Sequence, residues 1–301
     1  MKKLFVAALC LTSLNLWAET IQTEILDIEK DEQGYVVYAA DGQVYEVSSE
    51  EEAKKAITAA EMGVQVKLDL GSTYNTSEII EARNQIVEIS LTSEAVEGSS
   101  TQKDRRNRYY SRYNAEDLFS SYISDFDTES EVQTLFNTLR NDTHPKSQCY
   151  NRAHVWSWEL HRNYNNGKRV QTGKIWLFFT KKYIKEYRYK WWFHIAPYLT
   201  VNSDVRVIDR SFSYSPDTER GWTNRFMQNS AKCPEVRRYT DYSQNQWDAY
   251  CYVIKTSVFY WQPWQIESLE KGGQVRNEWN DWEVRKAYKN GIGRRARVPS
   301  L

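Results

Sequence analysis

Ser147-Gln148-Cys149-Tyr150-Asn151-Arg152-Ala153-His154, residues 147–154, is the stretch on which the reading of this sequence turns. Asn141 to Gln148 reads as a loop. Cys149 to Tyr164 reads as a helix that brings Ala153, Trp156 and Leu160 near one face. The thiol therefore stands at a helix N-terminus. Aligned peptide dipoles place roughly half a positive charge there, which favours thiolate. Amides without intrahelical partners can donate to an oxyanion, and the side-chain amide of Gln148 offers a further donor. Downstream lie Trp191-Trp192-Phe193-His194-Ile195-Ala196-Pro197 and then Val205-Arg206-Val207-Ile208-Asp209, both strand-like. A Cys, a His and an Asp on helix, strand and strand are the parts of a nucleophile, its base and the group that orients the base.

The choice of base follows from spacing. His154 is five residues along the helix, about 140° round from Cys149. His161 is further along still, and His144 sits in the loop before the helix. His194 alternates with Trp192 and Ala196 on one strand face, a dry wall that can hold an imidazole rigidly. Asp209 ends an apolar strand on the face of Val205 and Val207, where a carboxylate needs a partner. Asp204 is the alternative acid. The plainer readings remain open here: an inert buried thiol, a core histidine and a turn carboxylate bonded to its own backbone.

The chain opens Met1-Lys2-Lys3, continues with an apolar run from Leu4 to Leu16 and reaches Trp17-Ala18-Glu19. That pattern predicts a secretory leader cleaved after Ala18, and hence a periplasmic or secreted protein. No later segment is apolar enough to span a bilayer. Losing the leader removes Cys10 and leaves Cys149, Cys233 and Cys251. Cys233 and Cys251 are close in sequence and form the natural disulfide in an oxidising compartment, a bridge contributing roughly 3 kcal/mol. Cys149 is then the free thiol.

The formal charge of zero hides a split. Residues 19–100 hold 18 acidic and 5 basic residues, a net of −13, while residues 101–301 hold 22 and 33, a net of +11. Eleven of the 12 tryptophans lie from Trp156 to Trp282. Two domains are expected, residues 19–96 and 113–301, joined by a polar linker over 97–112 that contains Lys103-Asp104-Arg105-Arg106-Asn107-Arg108. The first reads as a small acidic α+β unit. It has a strand at Thr23–Ile28 and a hairpin whose arms, Tyr35–Tyr38 and Gln43–Val47, flank Asp41-Gly42. A helix follows, capped by Ser49 with Glu52 closing a capping box and Gly63 ending it, and then strands near Val64–Leu68 and Ile86–Leu91. It carries no His and no Cys. The second domain begins with a helix over Thr128–Arg140 and continues with strands at Lys174–Thr180, Tyr189–Leu199 and Val205–Phe212. It closes with a helix at Asp281–Tyr288. No metal-ligand pattern and no phosphate loop appear, so no metal or cofactor is expected. The basic residues are dispersed, which argues against nucleic acid.

The segments Cys149-Tyr150-Asn151-Arg152-Ala153-His154, His194-Ile195-Ala196-Pro197 and Val207-Ile208-Asp209 resemble the protein-glutaminase (protein-glutamine deamidase) family, whose members share a Cys-Tyr-x-Arg-Ala-His motif, a downstream His and an Asp. The resemblance covers roughly residues 130–215. It implies an α+β catalytic domain of papain/transglutaminase-like arrangement, with a Cys-bearing helix on an antiparallel sheet that carries His and Asp. It also implies hydrolysis of glutamine side chains in proteins or peptides to glutamate through a thioester, with Cys149 attacking, His194 as base and Asp209 orienting it. Secreted members carry a pro-segment that blocks the site; the acidic first domain fits either that role, docked on the basic second domain, or the role of a permanent accessory domain. A peptidase, a transglutaminase-like acyltransferase or a non-catalytic envelope protein would share much of this sequence pattern.

Overall fold

The computed structural model describes residues 19–32, 34–71, 83–95, 123–143, 148–165, 168–273, 276, 278–293 and 296–298. The expected leader, the expected linker and His144 lie outside these residues.

The N-terminal unit comprises β1 (Glu19–Asp31), β2 (Gly34–Ala39), β3 (Val44–Val47), α1 (Glu50–Met62), β4 (Val64–Leu70) and β5 (Asn84–Ala95). The strands close into a barrel in the order β1-β2-β3-β5-β4. Closure depends on a short parallel pairing in which Tyr45 faces Asn84; no local pattern announces such a contact. Ser49 accepts the Glu52 amide and Gly63 takes the left-handed conformation, φ 61°, both as read from sequence. The expected capping box is not formed. The Glu52 carboxylate is buried and accepts instead from Lys55 and from the Ile89 amide, each at 2.6 Å, which ties α1 to β5. Val37, Tyr45, Ala53, Ala56, Val66, Leu68 and Ile89 fill the core.

The second unit runs β6 (Asp125–Phe126), α2 (Glu129–Thr138), α3 (Cys149–Arg162), β7 (Tyr164–Asn165), β8 (Lys168–Arg169), β9 (Gly173–Phe179), α4 (Lys181–Glu186), β10 (Phe193–Val201), β11 (Asp204–Val207), β12 (Asp217–Thr218), α5 (Glu219–Phe226), α6 (Tyr239–Gln244), β13 (Cys251–Ser257), α7 (Pro263–Glu270) and α8 (Asp281–Gly291). Its main sheet has the order β12-β11-β10-β9-β13, antiparallel along that path, with β6 added parallel to the end of β10. The fold is thus α+β. Ile175-Trp176-Leu177-Phe178-Phe179 is an unbroken apolar run because β9 is buried along its whole length. The first turns of α3 pack on β10, with the Tyr150 ring stacked on Phe193, 6.5 Å between centroids. α8 covers the other side of α3, where Gly291 lies over Asn151 and Val155. The Cys233–Cys251 disulfide is present and tethers a loop to the first residue of β13. Among the described residues no helix is long and apolar enough to cross a membrane.

Three readings of the second unit need correction. The strand expected over Val205–Phe212 stops at Val207. Asp209 stands beyond it, where its carbonyl accepts the amides of Phe212 and Ser213 and closes a turn. The strand expected to begin at Tyr189 begins at Phe193. Residues 190–192 meet the barrel's hairpin loop instead: the Val44 amide donates to the Lys190 carbonyl at 2.6 Å and the Trp192 amide to Gly42 at 3.0 Å. The third difference is β13, which pairs antiparallel with β9 from Cys251 to Ser257, where no strand is expected from the sequence.

Charge links the two units as well. Lys181 pairs with Asp27 at 3.2 Å and with Glu29. The buried Arg83 guanidinium donates to the carbonyls of Tyr189 and Ile184 and to Glu46. The acidic surface of the barrel thus faces basic residues of α4 and the segment after it.

The pairing of β9 with β10 positions the candidate base, and one contact within it tolerates no side chain. Gly173 lies opposite Tyr198, and a Cβ at position 173 would come within 2.2 Å of the tyrosine ring. Gly173→Ala must displace that ring. Overpacking of this kind costs about 1–3 kcal/mol, so the melting temperature should fall by roughly 4–10 °C in a calorimetric scan; an unchanged value contradicts the packing described.

Candidate active site

Cys149 is the first residue of α3 and 8% exposed. Gln148 precedes it at the cap position without capping the helix; its Oε1 accepts from the Asn151 amide group. Of the influences on the sulfur, burial is the strongest. It pushes the thiol up to about 12, helped by the negative charge of Asp209, while Arg152 and the amides of Ile195 and Tyr150 act the other way. The expectation of a lowered thiol pKa therefore fails here. The half-charge of a helix terminus does not offset the lost hydration of a buried thiolate.

His194 is the second residue of β10 and 2% exposed. Its Nε2 lies 2.7 Å from Oδ2 of Asp209, itself 1% exposed. The ring is boxed by Trp191, stacked at 5.7 Å and 18°, by Phe226 at 4.5 Å, by Phe212 at 5.2 Å and by Trp222 at 5.7 Å. The wall is Trp191 rather than the expected Trp192, because strand alternation starts only at Phe193. The Trp192 indole points to the barrel and donates to the Ala39 carbonyl at 2.7 Å.

Asp209 is held from three sides. Its Oδ2 also accepts the Trp222 indole N–H at 2.9 Å, and Oδ1 accepts the Ser211 amide at 3.2 Å. Burial pushes this carboxyl up. The opposing charge and hydrogen bond of His194, the Trp222 N–H and the charge of Arg152 outweigh it and hold the group below its usual range. An ionised acceptor on Nε2 makes that nitrogen the donor, which leaves Nδ1 as the ring's acceptor. The sulfur meets the same strand one residue on, at the Ile195 amide.

The other candidates lie elsewhere. Asp204 is exposed at the start of β11. His154 is fully buried with Nδ1 2.6 Å from Lys174 Nζ, and burial, then the charge of that lysine, push its pKa down. His161 packs against Trp158 and Trp279. Among the described residues no cluster of three or more His, Cys, Asp or Glu could hold a metal ion. Sequence reasoning missed Trp222, Phe226 and Arg152. The only hint for Trp222 was general: a buried indole N–H needs an acceptor.

Two outcomes follow from this geometry. Iodoacetamide at neutral pH should label Cys149 slowly in the native chain and fully once the chain is denatured; rapid native labelling contradicts the buried thiol. The folded-state pKa of Asp209 lies below its ordinary 3.8. It therefore contributes stability that is complete above that value and lost as pH falls through the lowered one. Asp209→Asn should flatten the dependence of unfolding free energy on pH below about 4, and an unaltered acid limb contradicts this.

Residues 125–226 match a family model described as Glutaminase, a span that includes Cys149, His194 and Asp209. Among solved structures, the chain is similar to a crystal structure of pro-protein-glutaminase at 15% identity, over 91% of this chain and 94% of that one, with a TM-score of 0.47. It is similar to the A47Q2 mutant of pro-protein-glutaminase at 18% identity, over 80% and 83%, with a TM-score of 0.46. It is similar to the NMR structure of protein-glutaminase from Chryseobacterium proteolyticum at 17% identity, over 59% and 96%, with a TM-score of 0.35. No protein with a curated description matches the chain. What these comparisons show is a match of segment 125–226, about a third of the chain, to the glutaminase family model.

Proposed function

We propose that this chain is an exported thiol amidohydrolase that converts glutamine side chains in proteins or peptides to glutamate, with Cys149, His194 and Asp209 as its working groups. The observation that carries the reading is the buried His194–Asp209 pair at 2.7 Å within the segment that matches the glutaminase family. In the proposed reaction the Cys149 proton passes to Nδ1 of His194 and the sulfur attacks the γ-carboxamide carbon. Amides of the first turn of α3, with Gln148 beside them, donate to the oxyanion. The proton returns from His194 to the leaving nitrogen and ammonia departs, leaving a thioester. Water, deprotonated by the same imidazole, cleaves the thioester to glutamate and the free thiol. Throughout, Asp209 accepts from Nε2 and stabilises the imidazolium. Export is supported by the leader-like start of the sequence and by the Cys233–Cys251 disulfide.

The barrel is proposed as a pro- or accessory unit that docks on the second domain and restrains the site. Its charge of −13 against +11 supports that reading, as do the hydrogen bonds of residues 42 and 44 beside Trp191. The dry setting of Cys149 is what a covered site would give.

Ammonia release from casein and from a glutamine-containing peptide tests the chemistry. Cys149→Ala should reduce it by at least about 10³-fold, with peptide bonds left intact by mass. Peptide cleavage in place of ammonia release would make the chain a peptidase, and full activity in Cys149→Ala would remove the thiol from the mechanism. Cleavage within Lys103–Arg108, with removal of the barrel, should raise the rate; an unchanged rate argues for a permanent accessory unit.

A further inference from the structure

We infer that Trp222 is a positioning residue: its indole N–H fixes the Asp209 carboxylate, which in turn fixes the plane and tautomer of His194. The inference rests on the functional reading above and extends it to a residue outside the three working groups.

Asp209 lies past the end of β11, on a turn, so the sheet register that places His194 does not place its partner. A carboxylate on a turn can rotate unless side contacts stop it. Here the Ser211 amide, 3.2 Å away, holds Oδ1, while Oδ2 must present itself to Nε2 of His194. The second donor on Oδ2 is the Trp222 N–H at 2.9 Å. It comes from α5, which continues from β12, the strand paired with β11: Thr218 caps the helix by accepting the Gly221 amide at 3.0 Å, and Arg225 clamps Asp217 at 2.8 and 2.9 Å.

Space filling alone does not account for this residue. Trp222 is fully buried, and its ring lies against the imidazole at 5.7 Å. A phenylalanine or leucine would also wall the site. The indole contributes one polar atom, and that atom is directed at the oxygen shared with the catalytic imidazole. In a dry pocket a charged acceptor that loses one of its donors keeps the full desolvation penalty. The carboxylate would then reorient or take up a proton, and either change leaves Nε2 of His194 without a fixed acceptor.

The test is a double-mutant cycle on ammonia release, using the full chain under the conditions that activate the wild type. Trp222→Phe should lower kcat on the order of 10- to 100-fold, the rate equivalent of one unsatisfied buried acceptor, with KM nearly unchanged. It should also move the acid limb of the pH profile upward. In an Asp209→Asn background the same substitution should have little further effect, because Trp222 acts through that carboxylate. A wild-type kcat for Trp222→Phe, or an equal loss in both backgrounds, overturns the inference. If Trp222→Phe fails to fold, benzothienylalanine at position 222 keeps the ring's size while removing the N–H, and the same outcomes apply. Activity that persists in Cys149→Ala defeats the functional reading itself, whatever the cycle shows.

Discussion

The buried pair of His194 and Asp209 is the constraint around which the second domain is organised. Taking a carboxylate out of water costs several kcal/mol unless donors replace the water. Here three replace it: the imidazole, the Trp222 indole and the Ser211 amide. Each comes from a different stretch of chain. β10 must hold its register against β9, the turn after β11 must close, and α5 must sit over both. Four aromatic rings then exclude water from the imidazole, so the pair has no solvent to fall back on if one support moves.

The opposite side of the site is set by α3. Its first residue bears the sulfur, and the helix is clamped between β10 and α8. The sulfur does not share the electrostatic comfort of the carboxylate. It is buried, with two amides and Arg152 drawing it toward thiolate while burial and Asp209 prevail. The two halves of the site thus differ: a carboxyl held below its usual range and a thiol pushed above its own. Contacts from the barrel run along residues 190–192, immediately before the strand that carries the imidazole.

Much of this was legible in the sequence, and the failures have physical causes. Ser49 and Gly63 bounded α1 because caps are local chemistry, and Asp41-Gly42 marked its hairpin for the same reason. The helix that begins at Cys149 was read from its apolar face. The pairing of Cys233 with Cys251 followed from counting thiols. His194 and Asp209 were found as candidates because each put a polar group where its surroundings were apolar. The barrel closure was invisible because it depends on two residues of parallel pairing between β3 and β5. Trp222 was invisible because its significance is the direction of one N–H, set by the placement of α5 and not by any spacing. The capping role given to Glu52 failed because a tertiary partner, the Ile89 amide, competed for the same carboxylate. The thiol pKa was misjudged because sequence shows the helix dipole but not the depth of burial.

The claim on which all else depends is that the sulfur of Cys149 acts together with the buried imidazole on a carboxamide. The most direct measurement is mass spectrometry of the activated enzyme, acid-quenched during turnover of a glutamine peptide. The account predicts a transient adduct on the Cys149-containing fragment, with the mass of the peptide less ammonia, and its loss in His194→Ala. Ammonia release with no adduct on that cysteine, or with an adduct on another residue, would contradict it.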